Sequence, residues 1–461
     1  VLFRSYTWTA DAATDNLFGV ATNTTLTSLS LTGTLKGQIS ANAFLGCTVL
    51  QTATGLSGVL DLTTITIGSK ATIEGTAFQG CIGITAVQIG DIANNETGAE
   101  TIQKDAFKGC TGITAVTIGN ISTADAVADE AFAGCTNLAT VTLGNISASG
   151  AVANDAFVAD KANYTTAANN KLATVTIGDI TATSAIGAAS FGKLLKDVTI
   201  GSVVANGTAI PAGAFVWAKI SAATLNLAAT TGKYISQSSA DPANPAIAAG
   251  AFDMSAITGL AATEVYPVIT IGEIRSKGGA FNVDAITSPA SINTLTFAGD
   301  IAANGINVEL LSAAALTAIT FNGKIGAAGL ATGSFANQTG ITTFNFAGEL
   351  AAGAVATGAF DASGLGAATI NYTCADVDDY TVNKFDNNAF SATANDNTSR
   401  FISINVADTD LQAEFKDATY GIGQNDATRT SDVFDIFLVT FPTDPVTPMA
   451  MTFPTYVGKN A

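Results

Sequence analysis

The sequence contains no histidine, and ionisable side chains of the other kinds are scarce. Of its 461 residues, 12% are charged, whereas about 25% is typical of soluble domains. A chain without histidine cannot form Ser–His–Asp or Cys–His catalytic groups, nor a metal site with histidine ligands. No G-x-x-x-x-G-K-[ST] phosphate loop occurs either. We therefore expect no enzyme activity and no cofactor.

Positive charge is the rarer sign, because 19 Lys and Arg residues stand against 37 Asp and Glu, a formal net charge of -18. Binding to nucleic acid or to an anionic membrane surface requires clustered cations, and the sequence has no such cluster. No apolar stretch approaches the roughly 20 residues that span a bilayer. We therefore expect neither nucleic-acid nor membrane partners. A start at Val1 rather than Met leads us to expect a trimmed chain, from which a signal peptide could have been removed.

One phrase recurs along the chain. It reads AFQGCIGITAVQIG at Ala77–Gly90, AFKGCTGITAVTIG at Ala106–Gly119 and AFAGCTNLATVTLG at Ala131–Gly144. Self-similarity at this period indicates an array of stacked copies of one small unit. Such an array offers one long repeated surface rather than an obvious catalytic pocket.

Each phrase contains a six-residue run of pattern L-x-x-L-x-L, followed by a turn with glycine. The runs begin at Leu26, Leu62, Ile84, Ile113, Leu138, Leu172, Leu195, Ala222, Tyr266, Ile292, Leu316, Ile341, Ala367 and Phe401. Most start roughly 22–30 residues apart, which indicates about fourteen coils. The runs are rich in Thr, Val and Ile and their apolar residues alternate, so we predict strands. An Ile or Leu after the turn predicts a second short extended segment.

A phenylalanine precedes the run in most coils, and we expect these rings to form a buried column. They are Phe44, Phe78, Phe107, Phe132, Phe157, Phe191, Phe215, Phe252, Phe281, Phe335, Phe360 and Phe390. Four cysteines, Cys47, Cys81, Cys110 and Cys135, lie three residues after such a phenylalanine. Their spacing forms no C-x-x-C pair, so we predict a column of buried free thiols. Cys374 is also expected to be buried.

The phrase AFxGCTxLxxVTIG closely resembles the BspA-like leucine-rich repeat over roughly Leu26–Val406, most strongly across Ala77–Gly144. The resemblance implies a curved solenoid with one continuous parallel sheet and few short helical turns. It also implies a cell-surface protein, because members of that family are associated with adhesion to host proteins and other cells. The chain departs from the family in its low charge and in the aromatic residues that end its later strands.

Three segments follow from the repeat boundaries. We predict an N-terminal cap at 1–25, the solenoid at 26–406 and an atypical C-terminal segment at 407–461. The last segment caps the open core in one interpretation. In the other it is an extended arm that pairs with a neighbouring molecule. The candidate assembly strand is then Val433–Phe441, with Val433, Phe434, Ile436, Phe437, Val439 and Phe441 as its apolar residues.

Uncharged polar residues precede the last apolar residue of every run. They are Ser30, Thr66, Gln88, Thr117, Thr142, Thr176, Thr199, Asn226, Thr270, Thr296, Thr320, Asn345, Asn371 and Asn405. Because stacked strands lie about 4.8 Å apart, we predict a row of hydroxyls and amides on the solvent face of the sheet. Pairs such as Thr140 and Thr142 also resemble the arrays of ice-binding solenoids, although ordinary β-propensity explains them as well.

One acidic cluster is a weak candidate for calcium. It consists of Asp376, Asp378, Asp379 and Asp386, and carboxylates of this kind are calcium ligands. The spacing fits no known calcium loop, so a solvated loop is the default interpretation.

The sequence is compatible with two functions. The first is a non-enzymatic extracellular or cell-surface protein that mediates adhesion or binds protein or glycan through the sheet face. The second is a self-assembling subunit of an extracellular filament or surface layer, whose partners are further copies of the chain.

Overall fold

The structure is a computed structural model, and the chain divides into two compact units. Unit 1 comprises Val1–Ile220 and Gly250–Ala256, and unit 2 comprises Ser221–Ala249 and Ile257–Ala461. The residues that the structure describes are 6–10, 29–35, 38–48, 59–62, 65–67, 72–93, 100–163, 168–218, 222–237, 245–257, 260, 267–275, 279–287, 292–311, 316–336, 338, 340–356, 358–360, 367–373, 401–406, 436–444 and 447–452.

Short β-strands make up the regular structure. They are β1 Tyr6–Ala10, β2 Leu29–Leu35, β3 Gln38–Ile39, β4 Val59–Leu62, β5 Ile65–Ile67, β6 Thr72–Ile73, β7 Ala86–Ile89, β8 Ala115–Ile118, β9 Thr140–Leu143, β10 Thr174–Ile177, β11 Asp197–Ile200, β12 Val203–Ala205, β13 Phe215–Val216, β14 Thr224–Leu227, β15 Tyr234–Gln237, β16 Phe252–Asp253, β17 Val268–Ile271, β18 Glu273–Ile274, β19 Ile286–Thr287, β20 Ile292–Phe297, β21 Leu316–Phe321, β22 Thr343–Phe346, β23 Ala367–Tyr372, β24 Phe401–Val406, β25 Ile436–Asp444 and β26 Thr447–Thr452. Helix in the described ranges is limited to the 3-10 turn Lys161–Asn163. No helix in those ranges is long and apolar enough to cross a membrane.

The main sheet of unit 1 is parallel, in the order β4-β7-β8-β9-β10-β11. Its strands pair in register, so that Val87 lies opposite Val116 and Val116 opposite Val141. Successive residues of a strand point to opposite faces, and the exposures follow this alternation. Val116 and Ile118 of β8 are buried, whereas Thr117 between them is exposed.

Two further walls of unit 1 are held by single parallel bridges. One wall contains the residues that follow the turn after each strand: Ile92, Ile121, Ile146, Ile180 and Val203. The other contains Ile73, Ile102, Val127, Val152 and Ile186. The predicted second extended segment is thus confirmed. Smaller groups pair as β1-β2-β5, β3-β6 and β13-β16.

Unit 2 is built in the same way. Its main sheet has the order β14-β17-β20-β21-β22-β23-β24-β25-β26, parallel throughout except for the antiparallel pair of β25 and β26. One wall contains Ile274, Ile301, Ile325 and Leu350, and another contains Ile306, Leu330 and Val355. The predicted class, a β-rich solenoid of leucine-rich type with few helical turns, is confirmed. The number of coils and the boundaries at 25 and 406 stay predictions.

Stacked phenylalanine rings fill the core of unit 1. The column contains Phe44, Phe78, Phe107, Phe132, Phe157, Phe191, Phe215 and Phe252, with neighbouring centroids 4.9–5.6 Å apart. Each of these side chains is at most 3% exposed. Backbone bonds fix the spacing, since Phe78 N–H donates to the Ala106 carbonyl at 2.9 Å and Phe107 N–H to the Ala131 carbonyl at 3.0 Å. The predicted column is confirmed from Phe44 to Phe252. In unit 2, Phe335 and Phe360 stack 5.2 Å apart, whereas Phe281 is buried opposite Ile247, and Phe390 lies outside the described residues.

Asparagine and aspartate side chains join the corners that follow the strands. Asn120 N–H donates to Asp91 Oδ1 at 2.7 Å, and Asn145 N–H donates to Asn120 Oδ1 at 2.9 Å. Asp179 N–H in turn donates to Asn145 Oδ1 at 2.7 Å. We call this series the corner ladder. The glycine before each of these residues permits the close approach, because a Cβ on Gly144 would lie 2.7 Å from Asn120 N.

A left-handed backbone position recurs two residues before each stacked phenylalanine. In the first six coils of the column it is occupied by residues with a side chain, namely Asn42, Thr76, Asp105, Glu130, Asp155 and Ala189, with φ from 52° to 67°. In later coils it is glycine: Gly213, Gly250, Gly279, Gly333 and Gly358. Asn and Asp adopt this region readily, whereas Thr76, Glu130 and Ala189 are disfavoured there and carry local strain.

Ion pairs join three coils of unit 1 on the wall that contains these left-handed residues. Lys104 Nζ lies 2.6 Å from Glu130 Oε2, and Lys161 Nζ lies 3.3 Å from Asp129 Oδ2 as well as 2.9 Å from Asp155 Oδ2. The hydrogen bond to Asp155 raises the pKa of Lys161 above its usual value. The lysine ends are solvent-exposed, so these pairs contribute modestly to stability.

Candidate functional site

The solvent face of the main sheet carries a row of uncharged polar residues, which we call the outer row. In unit 1 the paired residues are Gln88, Thr117, Thr142, Thr176 and Thr199. In unit 2 they are Asn226, Thr270, Thr296, Thr320, Asn345 and Asn371. The predicted row is therefore present in each unit, with adjacent members on strands about 4.8 Å apart. The predicted place of Ser30 in it is wrong, because Ser30 lies in β2, outside the main sheet, opposite Thr7 of β1.

A second row runs beside the first, two residues earlier in each strand. Its members are Ala86, Ala115, Thr140, Thr174 and Asp197 in unit 1. In unit 2 they are Thr224, Val268, Thr294, Ala318, Thr343 and Thr369. Small and hydroxyl side chains dominate, so the two rows form a low-relief polar strip. Asp197 is the charged member among those named.

Hydrogen bonds hold part of the outer row in place. Asn345 Nδ2 donates to Thr320 Oγ1 at 3.1 Å, and Asn371 Nδ2 donates to Asn345 Oδ1 at 2.7 Å. Each amide that donates to the preceding coil can accept from the next with its oxygen. The side chains are thus oriented before any partner arrives, which lowers the entropy that binding would otherwise lose.

The predicted place of Thr66 in the outer row is wrong. The strand that pairs with β7 is β4, and it sets Asp61 opposite Gln88. Thr66 lies in β5, where it pairs with Thr34 of β2. The two phrases VLDL and TITI follow one another within nine residues of sequence, and the earlier one supplies the strand of the main sheet. The outer row therefore has a carboxylate at Asp61.

Strand β25, which contains most of the candidate assembly strand, is paired on both sides within the chain. β25 pairs with β24 on one side, where Ile404 lies opposite Val439, and with β26 on the other. Ile436, Phe437, Val439 and Phe441 of the candidate assembly strand lie in β25, whereas Val433 and Phe434 lie outside the described residues. Donation of β25 to a neighbour would therefore require breaking two rows of backbone hydrogen bonds.

The cysteines form the predicted column of buried free thiols. Cys47, Cys81, Cys110 and Cys135 are free and at most 1% exposed. Cys110 Sγ donates to the Phe78 carbonyl at 2.9 Å, and Cys135 Sγ donates to the Phe107 carbonyl at 3.1 Å. Burial raises the pKa of Cys135 to about 12. Such thiols pack the core and are poor nucleophiles. Cys374 lies outside the described residues.

Metal chemistry has no candidate among the residues that the structure describes, because no three Cys, Asp or Glu side chains there come together as ligands. The calcium candidates Asp376, Asp378, Asp379 and Asp386 lie outside those residues, so that hypothesis stays a prediction.

A 250 Å³ cavity at a corner of unit 2 was not foreseen from the sequence. Residues 228–233, Gly272–Glu273 and 298–300 line it. The sequence shows an insertion near Thr230–Ala249, but periodicity alone does not reveal that inserted residues enclose a space.

Comparison with known proteins supports the repeat assignment. Residues 56–169 match the family model described as BspA type leucine rich repeat region, in six copies. No curated protein and no solved structure matches the chain. Repeats of this type are typical of surface and adhesion proteins and are generally non-enzymatic.

Proposed function

Because residues 56–169 form BspA-type leucine-rich repeats, we propose that the protein is a non-enzymatic binding protein of the cell surface or extracellular space. It mediates adhesion by contacting protein or glycan partners through the outer row and its neighbouring row. The observation that carries this proposal is the in-register polar strip, which recurs on strand after strand of both units.

The chemistry of the strip indicates the kind of partner. Hydroxyl and amide groups both donate and accept hydrogen bonds, so they complement sugar hydroxyls and peptide groups. The strip holds few charges, and long-range electrostatic attraction therefore contributes little to binding. Affinity would come from many weak contacts repeated at the strand spacing, as expected for an extended and uncharged partner.

Catalysis is not part of the proposed role. General acid–base chemistry requires a group whose pKa lies near the working pH, held within reach of a bound substrate. Threonine and asparagine on a low-relief face supply no such group. The buried cysteines are removed from the surface and hold their protons tightly.

The experiment compares substitutions on two walls of the same two coils. The face variant is Thr142→Arg with Thr176→Arg. The matched control is Ser147→Arg with Thr181→Arg, two exposed positions in the same coils but outside the main sheet. Both variants add the same charge, so a difference between them reports position alone.

The full chain is tested against immobilised neutral polysaccharides and a panel of extracellular-matrix proteins. We expect the wild type to bind at least one probe, the face variant to bind at least tenfold more weakly, and the control to bind normally. Equal binding by the face variant and the wild type would show that the strip is not the contact surface. A wild type that binds no probe would count against the adhesion role.

A second proposal is a self-assembling subunit of a filament or surface layer. Its support is the position of β26 at the end of the strand order of unit 2, because an edge strand presents backbone groups for pairing. Strand exchange through β25 requires opening an existing pair. Negative-stain imaging tests this proposal: regular fibres that vanish on deletion of 433–461 would support it, whereas discrete monomers would contradict it.

A further inference from the structure

The cavity of unit 2 arises where one corner is longer than its neighbours. Gly272 alone separates β17 from β18, but residues 228–233 separate β14 from β15. The extra residues lie against the corners of the next two coils. Together they border an open pocket of about 250 Å³, somewhat less than the roughly 300–1,000 Å³ of pockets for drug-sized ligands. The space therefore suits a ligand of about one ring.

Tightly packed backbone forms one side of the cavity. A Cβ on Gly272 would overlap the carbonyl oxygen of Ala228, and a Cβ on Gly299 would lie 2.6 Å from Glu273 N. Glycine at both positions lets the corners approach as closely as their backbones permit. That part of the wall consequently has little room to collapse inward.

One carboxylate of the wall is held by an arginine. Arg275 Nε donates to Glu273 Oε1 at 2.6 Å, and its Nη2 donates to Oε2 at 2.8 Å. The guanidinium carbon lies 3.8 Å from the centre of the Tyr234 ring, so the arginine is itself stacked. A bidentate pair with a stacked arginine has few alternative geometries. Glu273 is therefore oriented without a ligand.

The second carboxylate, Asp300, is held by the backbone. Its Oδ1 accepts the N–H of Lys324 at 2.7 Å, the contact seen throughout the corner ladder of unit 1. Thr230, Thr231 and Lys233 also line the space. The charges of Lys233 and Arg275 balance those of Glu273 and Asp300. The site thus combines two carboxylate acceptors that are held in place with residues that carry hydroxyl and ammonium donors, and its charges balance.

We propose that this cavity binds a single neutral sugar residue. Adjacent sugar hydroxyls donate to the carboxylates of Glu273 and Asp300, and ring or hydroxyl oxygens accept from Lys233 and the threonines. The proposal rests on the surface-binding function and narrows its glycan alternative to a terminal neutral sugar. A cation would need more oxygen ligands than the two carboxylates supply, and its binding is one of the outcomes that the test separates.

The test is ligand-observed NMR saturation transfer on the full chain, with glucose, galactose, mannose and N-acetylglucosamine as free probes. Asp300→Asn removes the charge but keeps an acceptor for Lys324 N–H. Ala229→Trp fills the cavity from its wall. The matched control is Asp179→Asn, which has the same role in the corner ladder of unit 1, where Ser202 N–H donates to Asp179 Oδ1 at 2.7 Å.

We expect at least one sugar to bind both the wild type and the control. The same sugar should bind at least tenfold more weakly to both cavity variants, since hydrogen bonds to charged groups are among the stronger ones. Three results would overturn the proposal: no sugar binds the wild type, the cavity variants bind normally, or the control loses binding equally. Titration by Ca²⁺ alone, without sugar binding, would identify a cation site instead. The arginine variants test binding by the polar strip in a separate experiment. The sugar-site proposal and the proposal for the strip can therefore fail independently.

Discussion

Removing one ring from the middle of the phenylalanine column should destabilise unit 1 strongly. Phe132 is fully buried. Its ring lies 5.0 Å from that of Phe107, with planes 2° apart, and 5.2 Å from that of Phe157, with planes 19° apart. Phe132→Ala removes both stacking contacts and leaves a cavity. The backbone bonds between coils limit how far the neighbouring rings can move into it.

The magnitude follows from these contacts. A buried Phe→Ala substitution costs about 3–5 kcal/mol through lost burial and the cavity. Two aromatic pairs, each worth roughly 0.5–1.5 kcal/mol beyond area burial, place the expected loss of unfolding free energy near the upper end. Phe132→Leu keeps most of the volume and loses the two pairs, so a loss of about 1–3 kcal/mol is expected.

Urea unfolding followed by circular dichroism measures both variants, with Thr117→Ala on the exposed face of the preceding coil as the control. The control should remain within about 0.5 kcal/mol of the wild type. The order of stability should be control, then leucine, then alanine. If Phe132→Ala were as stable as Thr117→Ala, the ring could not be part of a packed column.

Three further outcomes test other contacts of unit 1. Gly144→Ala should lower the unfolding free energy in urea by about 1–3 kcal/mol, because its Cβ would lie 2.7 Å from Asn120 N; an unchanged value would refute the close approach. Ala189→Gly should raise it by roughly 0.5–1 kcal/mol, since relief of a left-handed alanine at φ 52° exceeds the added freedom of the unfolded chain. Lys104 holds the pKa of Glu130 below its usual 4.5. The ion pair therefore stabilises the folded chain above pH 4.5, and this stabilisation is lost as pH falls through the lowered pKa of Glu130. Lys104→Met should flatten the decline in melting temperature between about pH 5 and pH 3.

Repetition explains why much of the fold could be predicted from the sequence. Residues at equal places in successive coils face the same way, so the recurring Phe107 and Cys110 phrase directly predicts columns. Alternation within the strands similarly predicts that Thr117 faces solvent while Val116 does not. Both inferences depend only on the pleat of a strand and on stacking in register.

The left-handed positions were harder to foresee. Glycine at Gly213 and Gly250 signals such a conformation, but Thr76 and Glu130 at the same place give no signal of their own. Alignment of the coils on their phenylalanines reveals the shared position only once the backbone is known. Local preference is overruled there because inter-coil bonds, such as Thr76 N–H to the Asp105 carbonyl at 3.2 Å, fix the turn.

The errors in the candidate site have a common origin. Thr66 was misplaced, and the cavity beside Asp300 was missed, because each lies where the chain departs from the regular spacing. A periodic pattern assigns each residue to a place in its coil from the regular spacing alone. This assignment fails where a phrase is doubled or where residues are inserted at a corner. These departures are also where a repeat protein acquires features that its other coils lack.

The core residues differ between the units, whereas the outer row consists of uncharged polar residues in both, apart from Asp61. Strands of unit 1 end in residues such as Ile118, whereas three successive strands of unit 2, β20 to β22, end in Phe297, Phe321 and Phe346, stacked 5.1 Å apart. Phe297 meets Phe335 edge to face at 6.2 Å, so aromatic rings from two walls fill that core. Inward-facing and outward-facing residues alternate along a strand. A change in the core residues therefore places no constraint on the residues that face solvent. Core packing therefore does not explain why uncharged polar residues occupy that face in both units. The β-propensity of threonine explains part of the pattern, and the asparagines and the glutamine are the residues that favour a role for the strip in binding.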